Sequence, residues 1–152
     1  AANNAYINIF KLDASSTTNV VTDVNQTFTK AQRGTLTTQN ATTGGSITLD
    51  LANNNYFILS DNAGNGKLGN DNSGAYTLAN PSNIVAGQSG SIFVIQDSSG
   101  SRTLGVGSQW HFAGGTAPTL STTANAIDRI DYVVHTTTAI HSVATLDIKT
   151  TS

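Results

Sequence analysis

Two histidines flank a short polar turn near the carboxyl end of the chain. His135 and His141 lie on either side of Thr136–Thr138, so we expect them to approach each other across the two strands of a hairpin. Two imidazoles at close range could bind a metal ion or respond to pH. The alternative, which we favour, is that both are polar residues on the solvent-exposed face of the hairpin. His111, next to Trp110, is interpreted as a packed polar residue rather than a ligand.

The segment Asp61–Gly66 resembles half of a calcium-binding loop, because hard cations prefer oxygen ligands at alternate positions around a glycine turn. Ala63 supplies no side-chain oxygen, and the chain contains no Glu that could bind calcium through both carboxylate oxygens. Asn and Gly at this density are more often turn residues with positive φ. We therefore predict a turn without a metal ion, and no cofactor for the chain.

Sequence motifs for catalysis are not found. There is no nucleophile elbow G-x-S-x-G, no zinc-binding H-E-x-x-H and no phosphate-binding G-x-x-x-x-G-K. The lack of Cys excludes a disulfide framework, a thiolate metal site and a cysteine nucleophile. An active site would have to be assembled from scattered Asp and His residues, and we predict that the protein is not an enzyme.

Three aromatic residues suggest a different kind of site. Trp110, Phe112 and Tyr132 could form an exposed platform on which a sugar ring stacks, as aromatic faces do in lectin-like β domains. A single Trp in an alternating strand is more often part of the core. The sequence does not decide which face of its strand Trp110 occupies, so both interpretations stay open.

The elements that would position these residues are predicted to be strands. Charged residues make up 11% of the 152 residues, whereas 23 Thr, 16 Asn and 15 Ser supply over a third. Thr favours strands, Asn favours turns, and the helix formers Glu and Met are absent, so we predict an all-β fold. Roughly ten short strands at intervals of about 8–12 residues are typical of an antiparallel β-sandwich or jelly roll. The sequence shows no repeat of fixed period.

Two hairpins are predicted from alternating apolar residues. The first joins a strand at 47–51 to a strand at 56–59 through three consecutive asparagines. The second, which is better defined, joins strands at 128–135 and 139–149. Its inward-facing residues are predicted to be Ile130, Tyr132, Val134, Ile140, Ala144, Leu146 and Ile148.

Charge and hydropathy exclude several classes of partner. The formal net charge is −2, the isoelectric point is near 5.8, and the basic residues do not cluster. We therefore expect no nucleic-acid partner and no binding to an anionic membrane surface. No apolar run approaches the ~20 residues of a membrane-spanning helix, and the amino terminus lacks the residue order of a signal peptide. We expect a soluble protein.

The first apolar segment of the chain has apolar side chains on both faces of a presumed strand. Ile7 and Ile9 lie on one face, and the other face carries Tyr6, Phe10 and Leu12. Such a strand needs cover on both sides. Two interpretations stay open: another subunit covers it, or it is a central strand of its own domain.

Several runs of sequence resemble a β-rich domain common in structural proteins of tailed bacteriophages. These runs are FTKAQRG at 28–34, TLANPSN at 77–83, AGQSGSIFVIQD at 86–97, GSRTL at 100–104 and FAGGTAPTLST at 112–122. With the closing hairpin, the resemblance covers about residues 28–149. It implies a non-enzymatic, β-rich virion component that typically assembles as a homotrimer. The Asn-rich loop Asp61–Asn72 is not part of the pattern.

The resemblance suggests where the protein acts. Only 27 residues precede the matching region, whereas a tail fibre usually has a long shaft there, so we expect a capsid decoration (cement) protein on the outer surface of the phage head. The alternatives are the receptor-binding tip of a tail or head fibre and a carbohydrate-binding module. The implied partners are further copies of the chain, the major capsid protein and, for a fibre tip, a host surface glycan.

We divide the chain into an N-terminal arm, residues 1–27, and a β-sandwich domain, residues 28–152. The arm is the candidate contact with the capsid or between subunits. Its candidate partner-binding residues are Tyr6, Ile7, Ile9, Phe10 and Leu12.

Overall fold

The computed structural model of the protein describes residues 34–69, 71 and 74–149. The expected arm and the boundary after residue 27 lie outside the described residues. In chain order the strands are β1 (Leu36–Asn40), β2 (Ser46–Ile47), β3 (Tyr56–Ser60), β4 (Ala75–Leu78), β5 (Ser89–Ile95), β6 (Thr103–Val106), β7 (Trp110–Phe112), β8 (Ile127–Thr136) and β9 (Ala139–Thr145). A single 3₁₀ turn, Ala113–Gly115, follows β7. In the described ranges no helix has the length and apolar character needed to cross a membrane.

The strands form two sheets, which confirms the prediction of an all-β fold. The six-stranded sheet has the order β1-β3-β5-β8-β9-β7, and the three-stranded sheet has the order β2-β4-β6. From β1 to β6, consecutive strands alternate between the two sheets, and neighbours within each sheet are parallel. This is the winding of a β-solenoid, in which each turn of the chain adds one strand to each sheet.

Strand pairing differs from the expectation in two respects. Among the strands of the described residues, only the β5–β8 and β8–β9 pairs are antiparallel, so the expected antiparallel arrangement is wrong. The first predicted hairpin is also wrong, because β2 pairs with β4 whereas β3 pairs with β1 and β5. Alternating apolar residues identify the face that a strand buries. They do not identify the strand that lies beside it, and here the chain crosses to the other sheet after β2.

The turns of the winding differ in length. Along the six-stranded sheet, Leu36 pairs with Tyr56, which is 20 residues later, and Tyr56 pairs with Ser91, which is 35 residues later. The longer turn contains the Asn- and Gly-rich segment that follows β3. Unequal turns place strands in register without a constant spacing in the sequence, which explains why the repeat has no fixed period.

Both sheets bury side chains in one hydrophobic cluster. In the six-stranded sheet, Phe57, Ile92 and Ile130 are register partners on β3, β5 and β8, and each is at most 1% exposed. The three-stranded sheet contributes Ile47 and Leu78, which are fully buried. Burying one such side chain contributes about 1.5–3 kcal/mol, so this shared cluster is the main source of stability for the described residues.

The closing hairpin is present, with Val134 opposite Ile140 as the alternation predicts. Leu146 and Ile148 are 43% and 37% exposed, so their predicted inward orientation is wrong. Strand β9 ends before both residues, and Asp147 between them has a φ of 50°. The left-handed backbone conformation at Asp147 interrupts the alternation that a continued strand would have kept.

A hydrogen-bonded turn connects β5 and β6. The Gln96 side chain donates to the Arg102 carbonyl at 2.8 Å and accepts from the Arg102 amide at 2.9 Å. Asp97 accepts amide hydrogen bonds within the turn and pairs with Arg102 at 2.8 Å. The hydrogen bond from Arg102 lowers the pKa of the Asp97 carboxyl below its usual value. This network holds together two consecutive strands of different sheets.

Candidate binding surface on the six-stranded sheet

All three histidines of the chain lie together on the outer face of the six-stranded sheet. His111 of β7 and His141 of β9 are register partners, and their ring centroids are 6.4 Å apart. The ring centroid of His135, on β8, is 4.9 Å from that of His141. All three side chains are exposed. The predicted approach of His135 and His141 and their solvent-exposed position are therefore confirmed.

The interpretation of His111 as a packed residue is wrong. It is exposed on the outer face, whereas the sequence suggested a packed polar residue. It joins the other two histidines because β7 pairs in parallel with β9, and no local sequence pattern indicates this long-range pairing. Among the described residues, no group of three or more potential ligand side chains is arranged to hold a metal ion.

An open groove of about 550 Å³, lined by residues of β7, β8 and β9, lies at His111 and His141. Most of its lining surface is apolar. The lining residues are His111, Phe112, Ala113, Asp131, Tyr132, Val133, His141, Ser142 and Val143. Outward-facing side chains and the strands between them thus form a shallow, largely apolar depression.

Two pairs of exposed apolar side chains lie on the outer face, one at the groove and one at the opposite edge of the sheet. Val143 and Val133 are 67% and 52% exposed. At the other edge of the sheet, Leu36 and Tyr56 are register partners and are 49% and 40% exposed. These four residues lie on one sheet face, because the strand registers connect Leu36, through β3, β5 and β8, to Val143. Ser91 and Asp131 lie between the two apolar pairs on this path. Exposed apolar side chains grouped on one face are typical of interaction sites in soluble proteins.

The charged residues on this face compensate each other. Arg129 donates to Asp131 through Nε at 3.0 Å, and its Nη2 lies 2.9 Å from the same carboxylate oxygen. Ser91 donates to the other oxygen of Asp131 at 2.6 Å. The carboxylate is therefore satisfied by partners on its own sheet and adds little net charge to the groove.

The aromatic residues do not form a sugar-stacking platform. Trp110 and Tyr132 are 4% and 2% exposed, and their rings meet edge to face with centroids 5.8 Å apart. The Trp110 indole donates to the Ala79 carbonyl at 2.9 Å. Burial raises the pKa of Tyr132 to about 12. These two residues are core residues, and only Phe112 borders the groove as a partly exposed aromatic side chain.

The carboxylates near the calcium-like segment hold its backbone. Asp61 is 6% exposed and accepts from the Ala63 amide at 3.0 Å. Asp71 accepts hydrogen bonds from the Asn62 amide and the Tyr76 hydroxyl. Burial, with a contribution from Asp71, raises the pKa of Tyr76 well above its usual value. Two glycines of the segment have positive φ, which confirms the turn interpretation.

The candidate partner-binding residues of the arm, Tyr6, Ile7, Ile9, Phe10 and Leu12, lie outside the described residues. Comparisons of the chain with protein-family models, with curated proteins and with solved structures found no match.

Proposed function

We propose that this chain is a non-enzymatic structural protein of a tailed-bacteriophage virion. In this proposal it is a capsid decoration protein that binds the major capsid protein on the outer surface of the head. The observation that carries the proposal is the exposed apolar face of the six-stranded sheet, where Leu36, Tyr56, Val133 and Val143 lie on one surface. Exposed apolar side chains of this kind are typical of surfaces that bind other proteins. The resemblance of residues 28–149 to virion domains supports this use.

The proposal includes a homotrimer in which the two sheets pack as layers of a sandwich. One hydrophobic cluster contains buried residues of both sheets, which supports the layered arrangement. A homotrimer would present three capsid contacts at once, one from each copy. The second and third contacts then form at high effective concentration, so weak individual contacts give tight binding.

Low charge favours this mode of binding as well. Charged residues are 11% of the chain, and the net charge is −2. Contacts between surfaces with few charges depend little on screening by salt. We therefore expect binding to the capsid to persist when the ionic strength is raised.

The proposal is tested by mixing the purified full chain with tailless phage heads and measuring bound protein together with its mass in light scattering. Saturable binding by a trimer is expected. A trimer that ignores heads and adheres to host cells would instead be a fibre tip, and a protein that binds only free glycan would be a carbohydrate-binding module. A monomer that binds none of these targets would overturn the virion proposal.

The role proposed for the arm has its own test. Ile9→Asp combined with Phe10→Asp should release the protein from heads, because two charges replace apolar contact residues. Asn3→Asp combined with Asn4→Asp adds the same charge at polar positions and should leave binding intact. Fluorescence of Trp110, the only tryptophan, reports the fold of the core. Release with a changed Trp110 spectrum would contradict a role for the arm in binding alone.

A further inference from the structure

The chain contains a single Asn-Gly pair, Asn65–Gly66, in the loop that follows β3. Asparagine followed by glycine is the pair most prone to lose its side-chain amide, because glycine has no side chain that shields its backbone nitrogen. Gly66 has a φ of 74°, a conformation that glycine adopts without strain. The Asn65 side chain is exposed, so water reaches it in the folded protein.

The loop Asp61–Lys67 is closed and anchored by backbone hydrogen bonds. The Asp61 amide donates to the Lys67 carbonyl at 2.7 Å, which closes the loop. The next residue, Leu68, donates to the carbonyl of Ile95 on β5 at 2.8 Å. The groups of the loop are therefore held in place relative to the strands on either side.

The side chain of Asn65 is held beside the Gly66 nitrogen. Its Oδ1 accepts from the Lys67 amide at 3.2 Å, and the ring closed by this hydrogen bond contains the Gly66 nitrogen. The same hydrogen bond stabilises the negative charge that develops on Oδ1 when a nucleophile attacks Cγ. The carbonyl carbon of the Asn65 side chain is thus both positioned and activated.

The Gly66 amide has a proton acceptor. It donates to the hydroxyl oxygen of Ser60 at 3.0 Å, which is within the range of proton transfer. Ser60 is fully buried, and its hydroxyl donates in turn to Oδ1 of Asp61 at 3.4 Å. A proton lost by the Gly66 nitrogen can therefore pass to Ser60 while the Ser60 proton passes to the Asp61 carboxylate.

We propose that the loop Asp61–Lys67 promotes the deamidation of its own Asn65. The Gly66 nitrogen gives up its proton along the path through Ser60 and forms a bond to Cγ of Asn65. The bond from Cγ to the side-chain nitrogen breaks, ammonia leaves with the transferred proton, and a succinimide ring remains. Water opens this ring to a carboxylate, as aspartate or isoaspartate. The reaction needs no cofactor and is independent of the proposed function.

The rate in the folded protein distinguishes this proposal from the ordinary reactivity of an Asn-Gly pair. The full chain is incubated in mildly alkaline buffer, either folded or unfolded in guanidinium chloride, and each asparagine is followed by peptide mass spectrometry. We expect Asn65 to react about tenfold faster in the folded chain, which is less than a positioned proton acceptor usually contributes. Asn62 is exposed in the same loop but precedes Ala63, and it should stay unchanged.

Substitutions test the proton path. Ser60→Ala removes the first acceptor and should slow the reaction to the rate of the unfolded chain. Asp61→Asn keeps an oxygen acceptor for hydrogen bonds but does not take up the proton, so it should slow the reaction equally. The double variant should be no slower than either single variant, because the two groups act as a unit. Ser142→Ala is the matched control, since Ser142 is buried and its hydroxyl has no hydrogen-bond partner in the described part of the chain.

Two outcomes would overturn the inference. An Asn65 that reacts no faster in the folded chain than in the unfolded chain would show that the loop does not promote the reaction. A Ser60→Ala protein that keeps the parental rate would exclude the proton path. If Ser60→Ala alters the Trp110 fluorescence and so the fold, the rate of Asp61→Asn decides between the same two outcomes. None of these results depends on binding to heads, so the proposed function is tested separately.

Discussion

The two faces of the six-stranded sheet are built from alternate residues of the same strands, yet their surroundings are opposite. Along β8, Ile130 and Tyr132 are at most 2% exposed and lie in the shared core. Asp131, which lies between them, is partly exposed, and Val133, which follows Tyr132, is 52% exposed. The inner face is occupied by neighbouring side chains, whereas the outer face has no cover among the described residues. The inner face therefore determines stability, and the outer face is available for binding.

The largest expected effect concerns the inner face. Ile92 is fully buried between its register partners Phe57 and Ile130. Ile92→Ala should lower the free energy of unfolding by about 2–5 kcal/mol, because it removes buried methyl groups and leaves a cavity. Urea-induced unfolding followed by Trp110 fluorescence measures the loss. Val133→Ala on the outer face is the control and should change stability by less than about 0.5 kcal/mol. Equal losses in the two variants would remove the distinction between the faces.

A glycine on β5 tests how closely the inner face is packed. A Cβ atom at Gly90 would lie 1.9 Å from the Asn55 carbonyl oxygen and 2.6 Å from the Tyr132 hydroxyl oxygen. Gly90→Ala should therefore destabilise the fold by about 1–3 kcal/mol through overpacking. Gly44, where an added Cβ meets nothing within 4 Å, provides the matched control. Thermal unfolding of the two variants is the measurement, and a Gly90→Ala protein as stable as Gly44→Ala would contradict the close approach.

Alkaline pH tests the burial of Tyr132. Burial raises its pKa to about 12 in the folded protein, from an ordinary value of 10.0. The stability that comes from keeping the phenol neutral is complete below pH 10.0 and is lost as the pH rises through about 12. Between these values the unfolded chain ionises first, so unfolding becomes easier. Tyr132→Phe should lose stability less steeply over this interval, as measured by unfolding at a series of pH values. An unchanged slope would mean that Tyr132 does not contribute.

Much of the inner face could be predicted from the sequence, because burial follows local alternation. The inward positions of Val134 and Ile140 in the closing hairpin are examples. Strand partners could not be predicted in the same way. Strand β3 finds β1 and β5, which lie 20 and 35 residues away, and no residue near β3 specifies either partner. Parallel pairing depends on the packing of the whole core, which a local pattern does not contain.

On the candidate binding surface, too, local contacts could be predicted from the sequence and long-range contacts could not. The approach of His135 and His141 was predicted, because a hairpin turn connects their strands. His111 was placed wrongly, because only the parallel pairing of β7 with β9 brings it to the group. The predicted sugar-stacking platform is wrong for a related reason, because no local sequence pattern shows that Trp110 points into the core. The candidate site could be predicted where one hairpin builds it, and not where a distant strand completes it.

The sharpest comparison of the two faces makes the same substitution at one valine on each face. It also includes the smallest expected effect on stability. Val134 is 1% exposed on the inner face, and Val143 is 67% exposed on the outer face. Replacing valine by threonine keeps the branched shape and adds a hydroxyl group. Val134→Thr should cost about 1–3 kcal/mol, because the hydroxyl is buried. Val143→Thr should stay within about 0.5 kcal/mol of the parent when single chains are unfolded, because its hydroxyl remains in water.

The same pair separates folding from binding. In the head-binding measurement, Val143→Thr should bind less tightly than the parent, because a hydroxyl enters the exposed apolar face that is proposed to bind the capsid. Val134→Thr should bind like the parent wherever it is folded, because its side chain lies on the other side of the sheet. A Val143→Thr protein that binds heads as strongly as the parent would indicate that apolar contact at this position contributes nothing. Val143 would then be an ordinary solvent-exposed residue with no role in capsid binding.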